Sequence, residues 1–168
     1  MNSIGCKVAI MQNRNTNLND IYMSDRLQAQ LQQIDQYAMT CVVAPMGYGK
    51  TTAVNWFLGE RSKVPGTRVV RISIYSDSLA IFWRSAQSAF AHAGLDFLRQ
   101  YELPSDLQGV MLLMDDMNRA LAGTGPLYIF LDDYHLLRGP RCAHFLCKCA
   151  VQLPKNVHII IASRNHFL

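Results

Sequence analysis

The spacing at which apolar residues recur changes several times along the chain. Short runs that are apolar, or that alternate between apolar and polar residues, are typical of strands. Four such runs are present, at residues 39–44, 67–74, 127–133 and 157–163. The segments between them are longer, and in 107–121 apolar residues recur every three or four positions, as on the buried face of a helix. This alternation of strands and amphipathic helices predicts an α/β fold whose parallel sheet is covered on both faces.

Capping residues and glycines predict where the helices begin and end. The first helix is expected over residues 25–36. The second is expected to run from Lys50 to a stop at Gly59, and the third to begin after a cap at Ser76 or Asp77. Two further helices are expected, over residues 105–122 and 141–153.

Length and composition narrow the class of protein. The 168 residues fit one domain, and with half of them apolar and 17% charged the composition is that of a globular protein. The net charge of +4 is spread over sixteen basic residues without a long run, so we expect no direct DNA contact from this chain. Five cysteines, an odd number, indicate thiols in a reducing compartment. Because no apolar run approaches about 18 residues, we expect a cytoplasmic protein without a membrane segment.

The segment APMGYGKTT, at residues 44–52, follows the first apolar run directly. It matches the phosphate-loop pattern G-x-x-x-x-G-K-[ST], except that Ala44 stands at the first glycine. In this pattern glycines let backbone N–H groups turn toward a phosphate, while Lys50 reaches the β and γ phosphates and the Thr51 hydroxyl ligates Mg²⁺. A glycine-rich turn with a solvated lysine is the alternative. The expected contacts to ATP or ADP come from Met46, Gly47, Tyr48, Gly49, Lys50, Thr51 and Thr52.

Two carboxylates follow the apolar run YIFL. Asp132, at the predicted strand tip, is expected to hold Mg²⁺ with Thr51, and Asp133 to orient or deprotonate the attacking water. An aspartate pair that caps a turn is the alternative. Arg164 follows the last apolar run and is expected beside the γ phosphate, although a surface arginine fits the sequence equally well. The expected catalytic residues are Asp133, Lys50 and Arg164.

Three segments together resemble a known family. APMGYGKTT, LDDYHLL and IIIASRN, at these separations, resemble the nucleotide-binding domain of the STAND ATPases (signal-transduction ATPases with numerous domains). Among these, the similarity is greatest to the large LuxR-type transcriptional activators, the group that includes the maltose-regulon activator. That group typically has alanine where Ala44 stands. The resemblance covers roughly residues 20–168.

The resemblance implies a fold and a function. The fold is a P-loop NTPase of three α/β/α layers with strand order 5-1-4-3-2. The function is an ATP- or ADP-binding switch in transcription regulation, with slow Mg²⁺-dependent hydrolysis and therefore a weak ATPase at most. The resemblance implies that Lys50 and Thr51 bind phosphate and Mg²⁺ and that Asp132 binds the metal. It also implies that Asp133 is the catalytic acid and that Arg164 occupies a sensor position.

The chain departs from the family after its fourth predicted strand. We expect residues 21–168 to form a truncated P-loop domain without the fifth strand, the lid or the DNA-binding domain, preceded by a flexible arm over residues 1–20. The phosphate-loop strand around Val42 and Val43 would then lie at an open sheet edge, which favours self-association. The alternatives from other classes are a small P-loop kinase and a non-hydrolysing nucleotide-binding interaction module.

Overall fold

Five parallel strands form one sheet in a computed structural model that describes residues 6–10 and 23–165. In chain order the strands are β1 (Cys6–Ile10), β2 (Met39–Val43), β3 (Arg68–Ser73), β4 (Leu127–Asp132) and β5 (Val157–Ser163). Their order across the sheet is β1-β2-β5-β4-β3. Strands β2 to β5 therefore have the predicted 1-4-3-2 order of a P-loop NTPase.

Helices cover both faces of this sheet. They are α1 (Asp25–Gln32), α2 (Lys50–Ser62), α3 (Leu79–His92), α4 (Leu107–Leu121) and α5 (Pro140–Gln152). One cluster of buried apolar residues joins α1 and α2 to one face, and a second joins α3, α4 and α5 to the other. The three-layer α/β/α arrangement predicted from the sequence is confirmed.

Burial along the strands explains their sequence patterns. Strands β2, β4 and β5 lie inside the sheet, so side chains on both of their faces are covered and the sequence is apolar almost throughout. Strand β3 lies at the edge, where Val70 and Ile72 are buried while Arg71 and Ser73 are exposed. The alternating pattern therefore belongs to the strand that is only half covered.

The N-terminal segment corrects one expectation. Cys6–Ile10, inside the predicted flexible arm, is strand β1, and it pairs in parallel with β2 from Cys6 opposite Met39 to Ile10 opposite Val43. β2 therefore has a neighbour on each side, and the prediction that the phosphate-loop strand lies at an open edge is wrong. The rest of the predicted arm lies outside the described residues.

Two predicted helix boundaries also differ from the structure. α2 does not stop at Gly59 but continues to Ser62, because a glycine inside a helix costs only about 1 kcal/mol and the surrounding turns are anchored by buried residues. α3 begins after Ser78, whose hydroxyl accepts an N–H of the first turn. Ser76, one of the expected caps, instead accepts a hydrogen bond from the Ser78 N–H at 3.3 Å.

Candidate nucleotide site

The carboxyl ends of three neighbouring strands meet at one edge of the sheet. β2 leads into the glycine loop, β4 ends in Asp132 and β5 ends in Ser163. The register places Val43 opposite Ser163, and the Ala44 N–H donates to the Ser163 carbonyl at 3.3 Å. The loop, the acidic tip and the end of β5 therefore lie side by side, where parallel α/β sheets bind their ligands.

Two glycines shape the loop between β2 and α2. Gly47 has a φ of 82° and Gly49 a φ of 74°, in the left-handed region that residues with a Cβ rarely adopt. A Cβ built at either position would meet no atom within 4 Å. The loop therefore requires glycine for its backbone conformation and not for lack of space, and turns of this kind can form concave anion-binding surfaces from backbone N–H groups.

The start of α2 is suited to an anion. Its N-cap is Gly49, which has no side chain to accept a hydrogen bond, and its first turn contains no acidic residue. The first N–H groups of a helix have no partner within the helix, and the helix dipole adds partial positive charge at this end. The phosphates of a nucleotide therefore fit the loop and the first turn of α2.

Lys50 is the buried cation of this site, with only 8% of its surface exposed. Its ammonium donates to the carbonyl of Ala44 at 2.7 Å and to that of Pro45 at 3.0 Å. Both acceptors open the same loop, so the loop positions the charge that it encloses. An ammonium group has three donors, which leaves one for a phosphate oxygen.

Thr51 and Asp132 meet although they are 81 residues apart in the chain. The Thr51 hydroxyl donates to the Asp132 carboxylate, with oxygen–oxygen distances of 2.9 and 3.1 Å to the two carboxylate oxygens. A hydroxyl beside a carboxylate is an oxygen donor set of the kind that Mg²⁺ prefers beside nucleotide phosphates. The structure thus brings together the two residues that the sequence assigns to the metal.

Asp133 has the one positive φ found among the described non-glycine residues, at 55°. Its N–H donates to the Asp132 carboxylate at 2.9 Å, and this contact holds the left-handed turn, which aspartate tolerates better than most residues. The Asp133 side chain is about half exposed and lies 3.9 Å from Nδ1 of His135. Its carboxylate is therefore open to solvent beside the predicted metal residue.

His135 lies close to the charged residues of the site. Its side chain is only 11% exposed. Burial is the main cause that lowers its pKa, and the positive charge of Arg164 lowers it further, against an opposing effect of Asp133. His135 is therefore held toward its neutral form. The sequence favours a packed loop histidine at this position, and its burial agrees with that interpretation.

The remaining predicted residues differ in what they present to the site. Met46 is 70% exposed and Tyr48 37%, so both side chains are open to solvent at the loop. Thr52, in the first turn of α2, is exposed, and so is Arg164, directly after β5. Arg164 is close enough to His135 for its positive charge to lower the pKa of that histidine.

Sequence reasoning missed the acceptors that hold Lys50. They are main-chain carbonyls, and no side-chain type marks them. The available signal was position, because Ala44 and Pro45 are the first residues of a loop that returns to Lys50 within six positions. A buried lysine in so short a loop must take its acceptors from nearby main chain.

No family model matches the chain. The transcriptional regulator MalT of Klebsiella pneumoniae is 26% identical over 160 residues, which cover 90% of this chain and 17% of the regulator. MalT of Yersinia pestis is 24% identical over 153 residues, with the same coverage. The chain is a homologue of MalT. This agrees with the family resemblance read from the sequence, and the chain corresponds to about a sixth of the length of these MalT regulators.

Two solved structures resemble this MalT homologue in fold. Cdc6p from Pyrobaculum aerophilum aligns with a TM-score of 0.52 at 17% identity, over 86% of this chain and 41% of the other. The ORC2 protein of Aeropyrum pernix, solved in ADPNP and ADP complexes, aligns with a TM-score of 0.54 at 10% identity, over 89% and 44%. Both are P-loop ATPase folds, so the fold class predicted from the sequence is confirmed by comparison as well as by topology.

Within residues 6–10 and 23–165 of the MalT homologue, none of the helices has the length and apolar character needed to cross a membrane.

Proposed function

We propose that this chain is the nucleotide-binding core of a STAND-type regulator, in which it binds ATP or ADP with Mg²⁺ and hydrolyses ATP slowly. The observation that carries the proposal is the hydrogen bond of 2.9 Å between the Thr51 hydroxyl and the Asp132 carboxylate. It joins the end of the phosphate loop to the acidic strand tip, which is the pairing that a metal–phosphate site needs.

Binding of the phosphates would rest on the loop main chain, the start of α2 and Lys50. The ammonium is already directed by the Ala44 and Pro45 carbonyls, so little reorganisation is needed when a phosphate oxygen takes its third donor. Preorganised charge of this kind stabilises the phosphates in the bound state and in the transition state. Lys50 therefore acts as both a binding and a catalytic residue in this proposal.

Thr51 and Asp132 would hold Mg²⁺, which when bound supplies positive charge against the phosphate oxygens. Asp133 would accept a proton from the attacking water as the water oxygen forms a bond to the γ phosphorus. The bond between the γ phosphorus and the β–γ bridging oxygen breaks in the same step and releases ADP. Arg164 would add charge near the γ phosphate. Because the Asp133 side chain is open to solvent, water is poorly excluded and we expect turnover well below about 1 s⁻¹.

The regulatory part of the proposal rests on the MalT relatives, which are transcriptional regulators. A slow hydrolase that retains its nucleotide suits a switch better than a metabolic enzyme, since the bound state must persist. The DNA-binding function of the relatives is not assigned to any residue of this chain.

The experiment that tests the proposal compares Asp132→Asn with Asp133→Asn. Calorimetric titration with ATP, in Mg²⁺ and in EDTA, measures the gain in affinity that the metal gives, and release of phosphate measures turnover. We expect Asp132→Asn to lose most of the gain from Mg²⁺, since it removes the metal-side carboxylate. Asp133→Asn should keep that gain and lose the residual turnover.

Asp115→Asn is the matched control, because Asp115 is an exposed aspartate in the middle of α4. It should behave as the unchanged protein in both measurements. Equal effects of Asp132→Asn and Asp133→Asn on binding would contradict the assigned roles, and wild-type protein that binds neither ATP nor ADP would contradict the proposed function itself.

A further inference from the structure

The outer edge of β3 is open on the side away from β4. Among the described residues, β3 pairs with β4 and with no second strand. The N–H groups of Arg68 and Ile74 donate to carbonyls on the β4 side, at 2.9 and 3.1 Å. Because successive strand residues direct their main-chain groups to opposite sides, those of Val69, Arg71 and Ser73 point outward. The edge therefore presents a row of donors and acceptors that can pair with an extended chain.

Helix α3 forms the other wall of a groove of about 630 Å³ along this edge. Arg84, Ser88 and His92 follow one another at intervals of four residues and so lie on one face of α3, and all three line the groove. Arg71 of β3 also lines the groove, and its Nε donates to Asn55 Oδ1 of α2 at 3.3 Å, so its guanidinium lies on the face of the sheet opposite to α3. In the part of the chain that the structure describes, no aspartate or glutamate lines this groove. Its charge is therefore positive.

We propose that this groove, between the outer edge of β3 and the Arg84–His92 face of α3, docks an extended acidic peptide segment of a partner protein. The segment adds to β3 as a further strand, through main-chain hydrogen bonds. Its side chains alternate between the two faces of the sheet, so its carboxylates meet Arg84 on the α3 face and Arg71 on the α2 face. β3 is six residues long, so a matching segment spans about six or seven residues.

Charge and hydrogen-bonding groups favour an acidic peptide over a second copy of the chain and over a nucleic acid. A second copy of the chain would bring the same arginines against the same edge, and like charges opposed across paired strands are unfavourable. A nucleic acid would satisfy the arginines, but its backbone has no N–H groups to pair with the carbonyls of the β3 edge. An acidic peptide satisfies both the charges and the strand edge.

The test uses the full chain and a fluorescein-labelled heptapeptide, EVEEVEV, which places two glutamates on each face when it is extended. Fluorescence anisotropy is measured without nucleotide or Mg²⁺, so the result does not depend on the nucleotide site. Two matched peptides are titrated in parallel. One has lysine at each glutamate position, and the other is N-methylated at alternate residues, which removes the donors needed for strand addition but keeps the charge.

Three variants separate the groove from the general charge of the protein. Arg84→Glu reverses a charge on the α3 face of the edge and Arg71→Glu one on the α2 face, and each should weaken the binding of EVEEVEV by at least about tenfold. Lys155→Glu makes the same change in charge at an exposed residue outside the groove and should change the affinity by less than about twofold. Circular dichroism confirms that each variant is folded.

The proposal requires that EVEEVEV binds and that both matched peptides bind at least about tenfold more weakly. No binding of EVEEVEV up to about 1 mM would overturn it, and so would equal losses in Arg71→Glu and Lys155→Glu. Equal binding of the N-methylated peptide would show attraction by charge without strand addition and would also overturn it. Binding of single-stranded DNA in place of EVEEVEV would also overturn the proposal, and so would sedimentation that shows a dimer which Arg71→Glu dissociates.

Discussion

Replacing Lys50 with methionine tests the phosphate site most directly. The change keeps the length of the side chain and removes the ammonium. A charge-assisted contact to phosphate is worth about 1.5–3 kcal/mol, which corresponds to about a 10- to 150-fold change in affinity. Because the ammonium also retains its bonds to the Ala44 and Pro45 carbonyls, at 2.7 and 3.0 Å, it is shared among three acceptors. We therefore expect Lys50→Met to weaken ATP binding by about 10- to 100-fold.

The same substitution should have a small effect on folding. Lys50→Met leaves two loop carbonyls without their donor, but Pro45 is exposed and water can replace one of the bonds. We expect the free energy of unfolding in urea to fall by about 1 kcal/mol. This loss is small enough for the variant to remain folded, so a loss of nucleotide affinity cannot be attributed to unfolding.

Calorimetric titration with ATP and Mg²⁺ measures the affinity, and Lys63→Met is the matched control. Lys63 is the C-cap of the same helix, and its side chain is 71% exposed in an ion pair with Glu60 that contributes little to stability. Lys63→Met should bind ATP as the unchanged protein does. If Lys50→Met binds ATP within about threefold of the wild type, the assignment of a phosphate loop to this segment is refuted.

Three further predictions concern other parts of the molecule. Tyr128→Phe should lower the free energy of unfolding in urea by about 1 kcal/mol, because Tyr128 donates to the Asp35 carboxylate at 2.8 Å beneath the sheet. The pKa of His135 is lowered by burial and by Arg164, so its contribution to stability is complete above about pH 6.5 and is lost as the pH falls through the lowered pKa. His135→Gln should therefore show a smaller loss of stability on acidification in the same assay. ATP and GTP should bind with similar affinity in competition titrations, because the residues that we assign to the nucleotide contact its phosphates.

The sheet and the phosphate site could be predicted because their signals are local. Apolar runs identify β2, β4 and β5, and the loop pattern places Lys50 and Thr51 at a helix start. The contact between Thr51 and Asp132 follows from topology, since the carboxyl ends of parallel strands share one edge. Each of these inferences needs only the sequence of an element and the rule for where it ends.

Strand β1 could not be predicted because its signal is not local. Cys6–Ile10 is only five residues long, and although Gly5 precedes it in the sequence, Lys7 and Ala9 make its apolar pattern weak. It forms a strand through its pairing with β2, more than 30 residues later in the chain, and such pairing depends on which edge the rest of the sheet leaves open. The same limit explains the incorrect helix stop at Gly59, where packing of the surrounding helix outweighs a local preference.

Asp132 lies between the nucleotide site and the open edge of the sheet, and it uses different atoms toward each. Its carboxylate accepts from the Thr51 hydroxyl and the Asp133 N–H, whereas its carbonyl accepts from the Ile74 N–H at the end of β3, at 3.1 Å. The carboxylate can rotate about χ1 when a ligand draws Thr51 away, while the carbonyl stays fixed in the sheet. Binding at the phosphate loop therefore need not disturb β3, and a peptide on β3 need not alter the loop. The two proposed surfaces can be occupied independently unless a ligand moves the strand tip itself.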